Sequence, residues 1–374
     1  MAVDFEATRS RVQCADSPAG FSRRQGPDQL LGGLMQSRWA HFATVMIVLT
    51  ISGFLGCAEK GAEHTVAAPP VTEGFIATAD GTRLYYRKIG DGLQSVILPA
   101  DLFLHPAFDR LAAGRTLIYY DMRNRGQSDS VGVDRELTIQ QDVLDLEAVR
   151  AHFQLETVDL VGFSYLGLMV AMYAKDHPQY VRRIVQLGPV PLQFDNEYPE
   201  GLRAGDYYAA IDSTALAELR RLQAENYPRT HPREYCLRED AVTRVALVGD
   251  QANVVRLNQD LCDKPNEWPI HLAGHFARHF TSVQKLALDP ADFAGLDQPV
   301  LTIHGTLDRN AAYGGGREWA MTFPKARLLT VKGGAHCAWA DEPELVFGAI
   351  DTFLRGSWPE AAEQVTRLEP PSAQ

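Results

Sequence analysis

The chain has 374 residues, 45% of them hydrophobic and 22% charged, the make-up of an ordinary globular protein with room for one large α/β domain carrying an insertion, or for two domains. Its net charge of −11, with no basic stripe interleaved with aromatic residues, excludes a general nucleic-acid binder. A neutral or cationic small substrate is compatible with that charge.

Residues 1–34 are polar, turn-rich and aperiodic, and read as a non-globular leader. From Met35 a short, weakly basic segment leads into the apolar run F-A-T-V-M-I-V-L-T-I-S-G-F-L-G-C, ending at Cys57. It is too short to span a bilayer comfortably and reads as an export signal over 35–57. The competing reading is a buried apolar helix or a single membrane anchor. The segment F-L-G-C-A-E resembles a bacterial lipoprotein processing box, with Phe54 where leucine is usual. The resemblance implies lipidation of Cys57, an exported protein of the bacterial cell envelope, membrane contact through a lipid anchor only, and translation from Met35, which would make 1–34 a mis-annotated leader. Residues 58–71 would then be a flexible tether.

Residues 72–98 read as three strands, the first two joined by the hairpin signal Asp80-Gly81. A short helix is expected over 103–114 and a compact apolar strand over 116–120, ending at Asp121. Thr138 with Gln141 forms a capping-box pattern. Ile139, Val143, Leu146, Val149 and Phe153 then recur at helical spacing, with Asp142, Asp145 and Arg150 between them on the expected wet face. Val158–Val161 is an apolar strand, G-F-S-Y-L-G a turn, and Leu166 onward an apolar helix. Another strand follows over 181–190. Strand and helix alternate throughout 72–190, the signature of a mostly parallel, doubly wound sheet with helices on both faces. From 191 to 292 no buried strand is evident, and helical patterns at 213–225, 239–248 and 269–280 suggest an inserted helical cap. The α/β rhythm returns over 293–356, with strands at 299–305 and 326–331 and helices at 317–323 and 344–354. Residues 357–374 read as a frayed tail.

Ser164 lies between a buried strand and a buried helix, a poor place for a structural serine and a good one for a nucleophile raised above the sheet. Asp308, in H-G-T-L-D, and His336, in G-G-A-H, each follow a later strand. In a parallel sheet the strand C-termini share one edge, so one edge can gather all three. His336 would take the serine proton and return it to the leaving group, while Asp308 would fix the imidazole tautomer. The oxyanion would be held by the backbone N–H of Tyr165 and by that of Asp101 or Leu102 in the loop after Leu98.

With these residues in place, 72–356 resembles an α/β-hydrolase of the large capped superfamily, near the proline iminopeptidase and epoxide-hydrolase-like branches. The resemblance rests on Ser164, Asp308 and His336 in that order, on H-G-T-L-D and G-G-A-H, and on Y-D-M-R-N-R-G-Q-S-D (120–129), where Asp121, Arg125 and Gly126 would shape a loop beside the site. It implies an eight-stranded sheet with a helical cap. Two departures stand out. Leu166 occupies the usually small position two after the serine, and L-P-A-D-L-F-L (98–104) replaces the His-Gly and glycine-rich loop of many relatives. Serine rather than aspartate at 164 argues against epoxide hydrolase and dehalogenase chemistry, which needs a carboxylate nucleophile.

The expected activity is hydrolysis of a carboxylic ester or lactone-type acyl substrate through an acyl-enzyme. The alternatives are a proline iminopeptidase-like aminopeptidase acting on a short peptide and a non-catalytic exported binding protein. In iminopeptidase-like relatives cap carboxylates hold the substrate's free amine; here Asp206, Glu225, Glu234 and Glu239 read individually as surface charge. Tyr207, Tyr208, Tyr227 and Trp268 are candidates for either a pocket wall or cap core. No cofactor or metal is expected. His271, His275 and His279 recur at i, i+4, i+8, which separates the outer two by about 12 Å along a helix, and they read as a polar or satisfied helical face. Gly314–Gly316 lacks a nucleotide fingerprint and reads as a flexible loop. Cys236 and Cys262 could pair in an oxidising compartment. Cys337 reads as a small buried side chain.

Overall fold

The computed structural model describes residues 69–193, 196–258 and 260–369. The expected leader, the export segment and Cys57 lie outside the described residues.

The strands are β1 (Val71–Ala77), β2 (Arg83–Ile89), β3 (Gln94–Pro99), β4 (Arg115–Tyr120), β5 (Val158–Phe163), β6 (Val181–Leu187), β7 (Val300–Gly305), β8 (Ala326–Val331) and β9 (Ala362–Glu363). They form one sheet in the order β1-β2-β4-β3-β5-β6-β7-β8-β9. The pairs from β4 to β8 are parallel; β2 joins β1 and β4, and β9 joins β8, antiparallel. The sheet therefore has nine strands, not the expected eight. The ninth comes from the segment read as a frayed tail. That segment is anchored because the buried Arg317 guanidinium reaches Glu363 Oε1 at 3.0 Å and the Arg367 carbonyl at 3.2 Å.

The helices are α1 (Asp101–Leu104), α2 (Ile139–His152), α3 (Tyr165–Asp176), α4 (Ser213–Ala224), α5 (Tyr227–Thr230), α6 (Pro232–Thr243), α7 (Pro269–Gln284), α8 (Tyr313–Thr322), α9 (Ala338–Asp341) and α10 (Pro343–Leu354). Strand side chains alternate between the sheet's two faces. Ile97, Ile118, Leu160 and Ile184 pack on one side with Leu146 and Val149 of α2, Met169 of α3 and Trp319 of α8. Val96, Leu98, Val161, Val185 and Ile303 pack on the other with Phe347, Ile350 and Phe353 of α10. Each such aliphatic or aromatic burial contributes about 1.5–3 kcal/mol, so both faces are driven to be covered.

Three local expectations are corrected. Asp142 and Asp145 of α2 do not face water: Asp142 meets His279 Nε2 at 2.7 Å, and Asp145 takes two Arg123 N–H groups at 2.7 Å. A carboxylate at a core-facing position is tolerable only with such a partner. The expected helix at 103–114 is split into α1 and a 3₁₀ turn, Ala107–Ala112. Gly314–Gly316 is the buried first turn of α8 rather than a loop. A Cβ on Gly314 would sit 2.4 Å from the Tyr198 ring, and one on Gly316 would sit 2.4 Å from His304 Nδ1. Bare backbone is what lets α8 lie this close to its neighbours.

Between β6 and β7 the described residues contain α4–α7 and 3₁₀ turns but no strand. Cys236 of α6 and Cys262 form a disulfide across this insertion. Among the described residues no helix is long and apolar enough to cross a membrane.

Candidate active site

Ser164 follows β5 directly and is the residue before α3, with φ 57° and ψ −126°. A non-glycine residue there is strained by about 1–3 kcal/mol and persists only where its surroundings over-determine it. They do so here. Ser164 N–H donates to the Leu187 carbonyl on β6 at 2.8 Å, and its own carbonyl accepts Gly167 N–H at 2.9 Å. The turn closes because residues 162 and 167 lack side chains. A Cβ on Gly162 would lie 2.3 Å from the Leu166 carbonyl, and one on Gly167 would lie 2.9 Å from Pro189 Cβ. The close approach that a small residue at 166 would ordinarily permit is displaced to 167, leaving Leu166 to join the core and border the cavity.

Asp308 and His336 come together from the loops after β7 and β8. His336 Nδ1 and Asp308 Oδ2 are 2.8 Å apart and both residues are buried. The other carboxylate oxygen, Oδ1, accepts the N–H groups of Asn310 at 2.8 Å and Ala311 at 2.9 Å. Burial alone would raise the Asp308 proton affinity. The His336 ring and the hydrogen bond from His304 outweigh it and hold the carboxyl well below the usual carboxylate range. Phe163 packs on the His336 ring, with centroids 4.7 Å apart. Gly188, at φ 49°, brings bare backbone against the pair: a Cβ there would be 3.1 Å from Asp308 Oδ2.

Ser164 and His336 border one cavity of about 200 Å³ beneath the inserted helices. Its apolar wall includes Phe103, Leu166, Leu247, Leu272 and Phe276, and both disulfide cysteines line it. Among the expected oxyanion donors, Tyr165 is the first residue of α3, where an N–H has no partner within the helix. Asp101 occupies the same position in α1. Leu102, the other donor considered, already gives its N–H to Asp121 Oδ1 at 3.2 Å, which leaves Asp101 as the loop's candidate. Burial, then the neighbouring Asp101, push the Asp121 carboxyl up to about 7.

Three carboxylates from the insertion border the cavity. Glu267 pairs with Arg125 at 2.7 Å and accepts Gly126 N–H at 2.8 Å; Asp240 pairs with Arg244. Glu239 has no hydrogen-bond partner for its carboxylate among the described residues. Burial, then the adjacent Asp240, push it up to about 7. Of the other carboxylates considered, Glu225 and Glu234 are held by Arg221 and Arg238, and Asp206 caps the Tyr208 N–H; none reaches the cavity. Tyr207 lines it, while Tyr208, Tyr227 and Trp268 do not.

His271, His275 and His279 lie along α7 and turn toward the core: His271 meets the Asn124 carbonyl, His275 the Asn124 side chain and His279 Asp142. Among the described residues no cluster of His, Cys, Asp and Glu suits a metal. Cys337 is free and buried, and burial and then Asp308 push its thiol up. Two further residues of the site, Glu267 and His304, differ in how visible they are in the sequence. Nothing marks P-N-E-W around Glu267, but His304 could have been noticed four residues before Asp308, at the end of the same strand.

A mixed sheet of this order, a serine on a sharp strand-to-helix turn and an aspartate–histidine pair on later loops define an α/β-hydrolase architecture. A family model for the alpha/beta hydrolase fold matches residues 98–343, and the chain belongs to that family. Among curated relatives, the AB hydrolase superfamily protein YisY of Bacillus subtilis is 24% identical, covering 75% of this chain and 98% of that protein. A proline iminopeptidase of Levilactobacillus brevis is 34% identical over 115 residues, 27% of this chain and 38% of that protein. Among solved structures, the esterase EaEST of Exiguobacterium antarcticum superposes with a TM-score of 0.58 at 17% identity, covering 76% of this chain and all of that one (100%), and it shows the shared fold.

Proposed function

We propose that the protein is a serine hydrolase that cleaves a carboxylic ester or lactone-type acyl substrate through an acyl-enzyme. The observation that carries this reading is Ser164, at φ 57° ahead of α3, sharing a mostly apolar cavity with His336, whose Nδ1 is 2.8 Å from Asp308.

In this mechanism the Asp308 hydrogen bond fixes the proton of neutral His336 on Nδ1 and leaves Nε2 as the base. Nε2 takes the Ser164 hydroxyl proton as Oγ attacks the substrate carbonyl. The N–H groups of Tyr165 and Asp101 stabilise the oxyanion, and the imidazolium formed is balanced by ionised Asp308. His336 then protonates the leaving oxygen, and water repeats the sequence on the acyl-enzyme. The apolar wall favours a small, uncharged acyl group near the serine.

The second reading, an aminopeptidase, is favoured by one observation: Glu239 is a cavity carboxylate with no partner among the described residues, as an anchor for a substrate ammonium would be. The test is hydrolysis of short p-nitrophenyl esters and of prolyl amides by wild type and Ser164→Ala. Ester turnover lost in the variant supports the first reading. Prolyl-amide cleavage without ester turnover would reverse the order.

The export signal, lipidation at Cys57 and a cell-envelope location are proposed on the sequence pattern of 35–57 alone. Metabolic labelling with a fatty-acid probe, lost in Cys57→Ser, tests them.

A further inference from the structure

We propose that His304 is a positioning residue for the Asp308–His336 pair: its Nε2–H fills the last acceptor site of the Asp308 carboxylate and holds Oδ2 aimed at His336. This rests on the serine-hydrolase reading.

A carboxylate offers about four acceptor sites. Two on Asp308 are taken by the backbone N–H groups of Asn310 and Ala311, and one by His336 Nδ1. The remaining side of Oδ2 is faced by His304 Nε2, 3.1 Å away in an ion-pair contact. The same nitrogen is 3.2 Å from the Ala311 carbonyl. Both neighbours are acceptors, so Nε2 carries the proton and shares it between them. Nδ1 is buried and has no partner among the described residues. A second proton there would be an orphaned buried donor, so the neutral ring is the form the site accommodates.

The ring is held from outside as well. Gly316 of α8 exists as glycine against it, since a Cβ would be 2.4 Å from Nδ1, and the Tyr313 ring stands edge-on with centroids 5.9 Å apart. Both His304 and Asp308 are fully enclosed, so no water replaces the bond if it is lost. The titratable groups facing the cluster are Tyr313 from α8, whose hydroxyl engages Thr330 on β8, and Cys337 beside His336; Asp341 and Arg244 act on Cys337 from farther out.

The consequence is twofold. With the fourth site filled, the carboxylate cannot rotate away from His336. With its charge shared between two imidazoles, Oδ2 binds the His336 imidazolium less tightly than it otherwise would. Removing the donor should therefore loosen the geometry and raise the basicity of His336.

The test compares the full chain with His304→Phe, His304→Gln and Gly316→Ala. The Gln amide places an N–H at nearly the same reach as Nε2; Phe does not. For His304→Phe we expect kcat/KM on a p-nitrophenyl ester to fall about 10-fold, the size of one hydrogen bond to a buried charge, mostly in kcat. Its acid limb should move to higher pH, and the low-field proton NMR signal of His336 Nδ1–H should shift. His304→Gln should restore all three. Gly316→Ala keeps the fold's other contacts but pushes the ring, and should move the acid limb and the proton signal the same way if His304→Phe does not fold. Identical profiles for Phe and Gln, or an acid limb and proton signal that stay at the wild-type position, would overturn the proposal. Fluorophosphonate labelling that survives Ser164→Ala would instead overturn the hydrolase reading; the proton signal then still decides whether His304 orients Asp308.

Discussion

Removing the Glu267 carboxylate is expected to be among the costliest single changes in the inserted region. The carboxylate accepts Arg125 Nε at 2.9 Å and Nη2 at 2.7 Å, and Gly126 N–H at 2.8 Å. The two side chains are 1% and 4% exposed. Burial works against the Arg125 charge, and the Glu267 pairing more than offsets it. In Glu267→Leu the almost fully buried guanidinium loses its counter-charge. Breaking a buried pair from one side costs about 3–5 kcal/mol. The rings of Phe103 and Phe276 lie 5.5 and 5.3 Å from the guanidinium and recover a little of this by cation–π attraction. In the double variant Arg125→Met/Glu267→Leu the stranded charge is gone. Only the Gly126 N–H is orphaned, at about 1–3 kcal/mol. The double variant should therefore be more stable than Glu267→Leu alone. Urea unfolding followed by tryptophan fluorescence, with unchanged m-values, measures wild type, Arg125→Met, Glu267→Leu and the double variant. A loss below about 1 kcal/mol in Glu267→Leu, or additive single losses, would refute this reasoning.

Glu239→Gln should raise KM for substrates bearing a free amine and leave neutral esters unchanged. Because Glu239 is pushed up to about 7, wild-type KM for the amine substrates should fall as pH rises through that value and the carboxylate ionises; a flat KM would remove the second reading. Replacing both Cys236 and Cys262 by serine opens a loop set by a sequence separation of 26. Chain-entropy arguments put the loss near 3.5 kcal/mol, roughly, measurable as a lower urea midpoint than wild type under non-reducing conditions. Gly162→Ala would drive a Cβ into the Leu166 carbonyl at 2.3 Å. It should cost about 2 kcal/mol or more and lower serine labelling in the same samples.

The α/β rhythm was legible because apolar strands and amphipathic helices impose different periods on the chain. The turn holding Ser164 was legible for the same reason, since few structures need a serine between a buried strand and a buried helix. Asp308 and His336 could be picked out because each follows a strand of a parallel sheet. What stayed hidden depends on contacts distant in sequence. Asp142 and Asp145 looked like a wet face because their partners, His279 and Arg123, come from other elements. Gly314–Gly316 looked like a loop because glycine is read as flexibility, whereas here it marks a helix pressed against His304 and Tyr198. Leu102 could not be separated from Asp101 as an oxyanion donor until Asp121 was seen to take its N–H. The tail read as frayed because β9 is only two residues long and its anchor, Arg317, sits on α8.

The central claim is that Ser164 is an activated nucleophile. It is tested most directly by labelling the purified protein with a serine-directed fluorophosphonate, beside Ser164→Ala, and locating the adduct by peptide mass spectrometry. The account requires a single adduct on Ser164, absent from the alanine variant. An adduct on another residue, or equal labelling of both chains, would contradict it.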